Sequence, residues 1–478
     1  MRPRKSMAIV GTVWLAVWTL AGCASPDPKP PLPLQSAPPF SASGTAVLPD
    51  LWWTAFEDAE LDGRVERALA SNFSLTAAWE RLRAARALTR RTRSDLYPRL
   101  NGVADGELRD GSDVEEKSAV SVGLEASYEV DLWGRIRSTV EADRLRADAT
   151  EADYRTAAIS LSAEMALTWY RLAEARQQQE LLDSQLATNE TALQIISNRF
   201  AVGQSGSADV LRLRALSQAT REQAIVVRSR IEALEHQLAV LEGIPPQADI
   251  DSRAARLPDL PPPPATGLPA ELLGRRPDVL SAFLRLEAAD ADVAAAVKDQ
   301  YPRVTLAGTL ARLGENPADF LEEWFASIAG SIVAPLIDAG QRRAEVERNV
   351  AVRRQRLAEY GQTVLFAFQE VEDALALSDY QVQRIDNLES QLSLTRDTYR
   401  QLRSQYIYGA VDYLDVLSAL RDQQSLERNL LSARLQLVEL RIALYRALAG
   451  GFETPREQSR SESDDGPDES SEGVDTVE

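Results

Sequence analysis

Hydrophobic and polar positions along this chain change period several times, and the changes recur. Residues 64–97 contain neither glycine nor proline and have the composition of a helix, which Pro98 stops. Apolar and polar residues then alternate: Leu100, Gly102, Ala104, Gly106 and Leu108 fall on one face, Asn101, Asp105 and Glu107 on the other. Val120, Val122, Leu124, Ala126, Tyr128 and Val130 alternate in the same way with Ser121, Glu125, Ser127 and Glu129. A period of two predicts strands over about 100–108 and 119–130, each with one apolar and one polar face, joined by the polar stretch 109–117 as a loop. From 135 to 202 no glycine or proline occurs, and as a helix this run spans on the order of 100 Å, too long for a globular core. After a turn at 203–206 a second such run, 207–242, carries Val227, Ile231, Leu234, Leu238 and Leu241 in steps of four and three, the seam of a coiled coil. The runs 64–97 and 207–242 together nearly match 135–202 in length, so stacked end to end they can lie along it.

The same plan returns later in the chain. Tyr97-Pro98-Arg99 recurs as Tyr301-Pro302-Arg303, and Arg81-Leu82 as Arg285-Leu286, at an offset of 204 residues. The offset then becomes 206 and holds: Gly134 and Gly340, Tyr154 and Tyr360, Glu164 and Glu370, Gly203 and Gly409, Asp209-Val210-Leu211 and Asp415-Val416-Leu417. Two units of one design, 51–245 and 270–451, are thus joined by a Pro-rich linker, 246–269. The second unit's strands are expected at about 304–312 and 325–335, and only Gly361 interrupts its long run. Four strands of this length and alternation fit a transmembrane barrel wall but are too few to close one, and an open sheet leaves edge groups unsatisfied in lipid. A barrel therefore needs several chains, and the pattern alone does not choose between dimer, trimer and tetramer. Soluble hairpins packed on helices are the competing reading.

Composition narrows the chemistry. The net charge of -19 argues against a nucleic-acid partner, since phosphate binding needs a basic face. With Cys23 the only cysteine there is no internal disulfide, and His236, the only histidine, has no partner for a soft-metal site. Charged residues make up 26% of the chain, and long helices present them as solvated faces and pairs one turn apart. No catalytic constellation stands out, so no enzyme, metal or other cofactor is expected. A basic start, an apolar stretch and Leu20-Ala21-Gly22-Cys23 read as an export signal over 1–22 that resembles a bacterial lipobox, which implies a covalent lipid on Cys23. Ala24 is not the aspartate that retains many enteric lipoproteins at the inner membrane. Residues 23–50 form a Pro-rich, extended segment suited to carrying the chain away from lipid, and the acidic residues 452–478 are expected to be disordered.

Trp52-Trp53, Tyr97-Pro98, Tyr128-Glu129-Val130-Asp131-Leu132-Trp133-Gly134-Arg135, Arg275-Arg276-Pro277-Asp278-Val279, Ala334-Pro335-Leu336-Ile337-Asp338-Ala339-Gly340 and Gln369-Glu370-Val371-Glu372-Asp373-Ala374-Leu375 resemble the efflux outer-membrane proteins of the TolC and OprM type, in particular the NodT-type lipoprotein branch. The resemblance implies a mainly α fold with a membrane β-barrel part: a homotrimer with a twelve-stranded barrel in the outer membrane and a helical tunnel through the periplasm. It further implies a periplasmic adaptor, an inner-membrane pump and the export of small toxic compounds. A conduit for type I protein secretion and a non-pore coiled-coil scaffold are the alternatives.

The same resemblance places the periplasmic tip at Gly203 and Gly409 and a ring of carboxylates at Asp415, with Asp209 on the neighbouring hairpin. As a first-turn residue Asp209 also fits a helix cap. Ser418, and Ala410 with Val411, stand where some members carry acidic and basic residues, so the closing bonds are expected to differ. Phe200, Val202, Gly203, Tyr406, Tyr408 and Gly409 are candidate adaptor contacts, with packing between hairpins as the competing role.

Overall fold

The computed structural model describes residues 38–111, 114–248, 256–267, 269–314 and 324–458. The export signal, Cys23 and most of the first Pro-rich segment lie outside the described residues, as does the acidic tail from 459 on. The elements are α1 (Ala59–Ser71), α2 (Phe73–Arg93), β1 (Arg99–Gly111), β2 (Val114–Val130), α3 (Arg135–Ala201), α4 (Ser207–Leu241), α5 (Pro269–Arg275), α6 (Pro277–Lys298), β3 (Arg303–Gly314), β4 (Trp324–Val333), α7 (Gln341–Ile407) and α8 (Tyr413–Leu448).

The long runs free of glycine and proline are the two long helices, α3 and α7, of 67 residues each. Along α3 lie α2 and α4, and along α7 lie α6 and α8; α3 also packs on α6 and α8, which joins the two units side by side. Ile231, Leu234 and Leu238 of the expected seam are buried, with Val227 and Leu241 packed against the same core. The expected single helix over 64–97 is corrected: it begins at Ala59 and breaks at Asn72, which ends α1 and starts α2. The amide of Asn72 donates to Ala68 O (2.9 Å), its Oδ1 accepts from Leu75 N (3.0 Å) and its Nδ2 donates to Leu241 O (3.0 Å). An asparagine side chain that competes for backbone groups thus turns the chain where the end of α4 abuts it.

Three further expectations are corrected. The polar stretch 109–117 is mostly strand, since β1 runs to Gly111 and β2 starts at Val114, with Leu108 opposite Ser118. Alternation fades there while the hydrogen-bonded ladder continues, as in a hairpin that outruns an apolar band. The acidic tail is docked as far as residue 458: Phe452 is buried edge-to-face against Trp53 (4.9 Å), and Thr454 meets Tyr154 Oη (2.7 Å). Arg456 bonds Ala70 O (2.8 Å) and Thr76 Oγ1 (2.6 Å) and Glu457 pairs with Arg155 (3.2 Å), so a few anchored side chains hold a segment whose average composition reads as disordered. Charges are not all solvated: Glu174 and Glu242 are buried, each paired with arginine.

The widest core lies at mid-length, where Trp52, Trp53, Phe56, Tyr170 and Tyr445 interlock, the Trp52 indole donates to Ser162 Oγ (3.1 Å) and that of Trp169 to Asp58 Oδ2 (2.8 Å). The two Pro-rich segments pair there rather than acting as separate spacers, with Gly44 N on Pro264 O (3.1 Å) and Ala265 N on Ala46 O (2.8 Å). Ser41 N then donates to Glu372 Oε1 of α7 (2.9 Å), strapping the first segment to the second unit.

Candidate functional site

The strands form one antiparallel sheet in the order β1-β2-β3-β4, so the two hairpins pair through β2 and β3. Register keeps the faces separate. Leu100 lies opposite Ala126, Leu124 opposite Leu310 and Leu306 opposite Gly330, so the apolar positions of all four strands share a face. Leu100, Val122, Leu124, Leu306, Leu310, Ile328 and Ile332 on it are exposed. The opposite face carries Asn101, Asp105, Ser121, Glu125, Thr305, Thr309, Ser327 and Ser331. β1 and β4 each keep one unpaired edge, which leaves a wall with a lipid-like side, a watery side and two open margins. Among the described residues no helix is long and apolar enough to cross a membrane.

At the far end of the long helices the chain turns at Gly203 (φ +78°) and Gly409 (φ +74°). Both turns close identically. Gly203 N donates to Phe200 O (2.9 Å) and Gln204 N to Arg199 O (2.8 Å), and Gly409 N donates to Tyr406 O (3.0 Å) and Ala410 N to Gln405 O (2.9 Å). This is the paired C-terminal cap that needs a left-handed residue, and open space around both glycines leaves φ as the reason for them.

The turns differ in their carboxylates. Asp209 accepts from Ser205 Oγ (3.1 Å) and Arg212 Nη1 (3.1 Å) rather than from backbone amides, so the expected capping role is replaced by side-chain pairing. Asp415 is exposed and makes no ion pair among the described residues. Beneath both, Ile196, Val210, Leu213, Leu216, Tyr413, Val416, Leu417 and Leu420 form one cluster that joins the hairpins. Tyr406 belongs with it: its ring lies 5.1 Å from that of Tyr413 and under the Arg199 guanidinium (4.7 Å). Burial, then neighbouring Tyr399, Tyr406 and Asp209, push the Tyr413 hydroxyl well above its ordinary pKa, so it stays neutral. Phe200 and Val202 are exposed and Tyr408 is 85% exposed, so these three form the tip's apolar surface while Tyr406 packs between hairpins.

One feature escaped sequence reasoning. Above the tip, α3 meets α8 through a polar ladder on buried α3 residues: Gln424 Nε2 donates to Asn189 Oδ1 (2.8 Å), Arg428 Nη1 to Gln185 Oε1 (2.6 Å), Gln178 Nε2 to Arg428 O (2.9 Å) and Ser432 Oγ to Glu174 Oε1 (3.0 Å). The signal is in the spacing, since Glu174, Gln178, Gln185 and Asn189 continue the steps of Leu182 and Ile196, which places polar side chains on a seam.

Comparison with known proteins agrees with this architecture. The family described as outer membrane efflux protein matches residues 65–243 and 268–450. The pyoverdine export outer membrane protein OpmQ of Pseudomonas aeruginosa is 29% identical over 87% of this chain and 91% of its own length. The solvent efflux pump outer membrane protein SrpC of Pseudomonas putida is 31% identical over 83% of this chain and 86% of its own. Among solved structures, the outer-membrane channel OprN superposes with a TM-score of 0.81 at 29% identity, covering 87% of this chain and 98% of that one.

Proposed function

This chain belongs to the outer membrane efflux protein family and is an efflux channel of the outer membrane; on that premise we propose that three copies close one barrel and one tunnel for small toxic compounds. The observation that carries the reading is the four-stranded wall, apolar on one side, polar on the other and open at both margins, set on helices of 67 residues. Joining β4 of one copy to β1 of the next satisfies both margins, and three copies give twelve strands, within the range of closed membrane barrels. The polar faces then line a water-filled path, and the helices continue it into the periplasm.

In this reading the channel is a passive conduit. The exposed Phe200, Val202 and Tyr408 offer an apolar rim to a periplasmic adaptor, through which an inner-membrane pump supplies the energy. Asp415 rings the constriction, and Asp209, held by Arg212, lies beside it on the neighbouring hairpin. OpmQ is named for pyoverdine and SrpC for solvents, a spread in keeping with a conduit whose cargo is chosen by the pump.

The test is reconstitution. Purified oligomer in a planar bilayer is expected to give discrete, cation-preferring conductance steps, and silence from a folded oligomer would favour a non-pore scaffold instead. The lipid anchor has its own test: incorporation of radioactive palmitate is expected in the natural chain and lost in Cys23→Ala, and label retained by that variant would overturn acylation at Cys23.

A further inference from the structure

The internal repeat makes one interface inside the chain a template for another that the single chain leaves open. Within the chain α6 packs on α3. Ser138, Ala142 and Ala149 of α3 and Ser281 and Ala288 of α6 are buried there. Two ion pairs hold the seam, Arg285 with Asp153 and Arg146 with Asp292, and Ser281 Oγ donates to Asp153 Oδ1 (2.6 Å).

Each of these residues has a counterpart in the other unit. On α7, 206 residues on, stand Ala344, Arg348, Val352, Gln355 and Glu359 in place of Ser138, Ala142, Arg146, Ala149 and Asp153. On α2, 204 residues back, stand Ala77, Arg81, Ala84 and Leu88 in place of Ser281, Arg285, Ala288 and Asp292. The burial of these two sets is inverted. Ala77, Arg81, Ala84 and Leu88 are all exposed, as are Ala344, Arg348, Gln355 and Glu359. Within the chain α7 packs on α6 and α8, and α2 chiefly on α3, so each of these faces is open.

We propose that α2 of one subunit packs on α7 of the next as α6 packs on α3, with the partner subunit's Arg81 paired to Glu359 and the partner subunit's Leu88 set against Val352. This rests on the oligomeric-channel reading and adds its register. The charges agree: Arg81 has no ion pair among the described residues, and the Glu359 carboxylate is bonded only to Gln355 and Arg356 of its own helix among the described residues, while the Arg285 guanidinium of α6 that acts on it from further off is already paired with Asp153. The second ion pair is replaced by an apolar one, so the seams differ chemically. An α6 from another copy placed on α7 would set the carboxylate of Asp292 against Val352, a cost that disfavours pairing the wrong helices.

Cysteines at Leu88→Cys and Val352→Cys in one full-length chain, treated with a short thiol crosslinker, are expected to give covalent trimers. The off-register pair Leu88→Cys with Glu359→Cys should leave chiefly monomer on a denaturing gel. In parallel, Arg81→Glu and Glu359→Arg should each lower the temperature at which the trimer dissociates, and the double variant should restore it. Crosslinking through the off-register pair alone, or failure of the double swap to restore the trimer, would overturn the assigned register. A natural chain that is monomeric by native mass spectrometry would instead overturn the oligomeric reading beneath it.

Discussion

Replacing Glu242 by alanine is expected to shorten the survival of the folded protein on heating more than any exposed charge deletion in the chain. Glu242 is 7% exposed and its Oε1 accepts from Arg64 Nη1 at 2.6 Å; Arg64 is itself buried, paired with Glu60 (3.1 Å) and laid over the Trp169 ring (4.7 Å). Arg67 reaches the other carboxylate oxygen (3.2 Å), and the Glu242 carbonyl accepts from Ser71 Oγ (2.6 Å). These bonds tie the end of α4 to α1 where the two shorter helices meet. Removing one member of a buried pair leaves an uncompensated charge and costs about 3–5 kcal/mol; because Arg64 keeps Glu60, the lower end, about 3 kcal/mol, applies. The control is Arg434→Ala, which breaks the exposed pair with Glu389 (2.8 Å) and should cost about 0–1 kcal/mol. Heating a channel of this size is expected to be irreversible, so the half-life of folded protein at fixed temperature is the measurement. Equal half-lives for the two variants would show that Glu242 does not fasten the junction.

That junction also marks where the sequence stops being legible. The long helices, the turns at Gly203 and Gly409 and the alternating wall follow from local chemistry, because glycine, proline and period are strong signals. The break at Asn72 is weaker, since asparagine is tolerated inside helices and becomes a stop only because α4 ends against it. Tyr406 and Tyr408 show the same limit at the tip: two residues apart, they are chemically alike, yet one packs on Tyr413 and the other points to solvent as the helix ends between them. Glu174 and Gln178 look like surface residues until their place on the α3 seam is counted, and the partners beyond α3 come from α8, through Arg428 O and Ser432, and from α4, through Arg230. What a helix face touches depends on residues hundreds of positions away, and no local window contains them.

Asp415→Ala is expected to raise single-channel conductance and to lower the preference for cations, with increased antibiotic leakage into cells as the matching phenotype. The side chain is exposed and unpaired, so its removal breaks no bond in the fold. Its backbone is nonetheless fixed, because Tyr413, Val416 and Leu417 on either side are buried in the cluster that joins the hairpins. In the proposed trimer a carboxylate on a rigid turn is repeated by threefold symmetry, which would place three charges about one axis. For a cation about 4 Å from a carboxylate each contact is worth about 1 kcal/mol even in water. Losing three of them, less screening by salt, lowers cation preference by roughly ten-fold. Trading carboxylates for methyl groups also widens the constriction. Asp209→Ala separates charge from position: that carboxylate is bound to Ser205 and Arg212, so its loss frees an arginine and should shift selectivity less than Asp415→Ala does. Unchanged conductance and ion preference in Asp415→Ala, measured on folded oligomer in the same bilayer, would remove Asp415 from the constriction and move the gate to another ring of the tunnel.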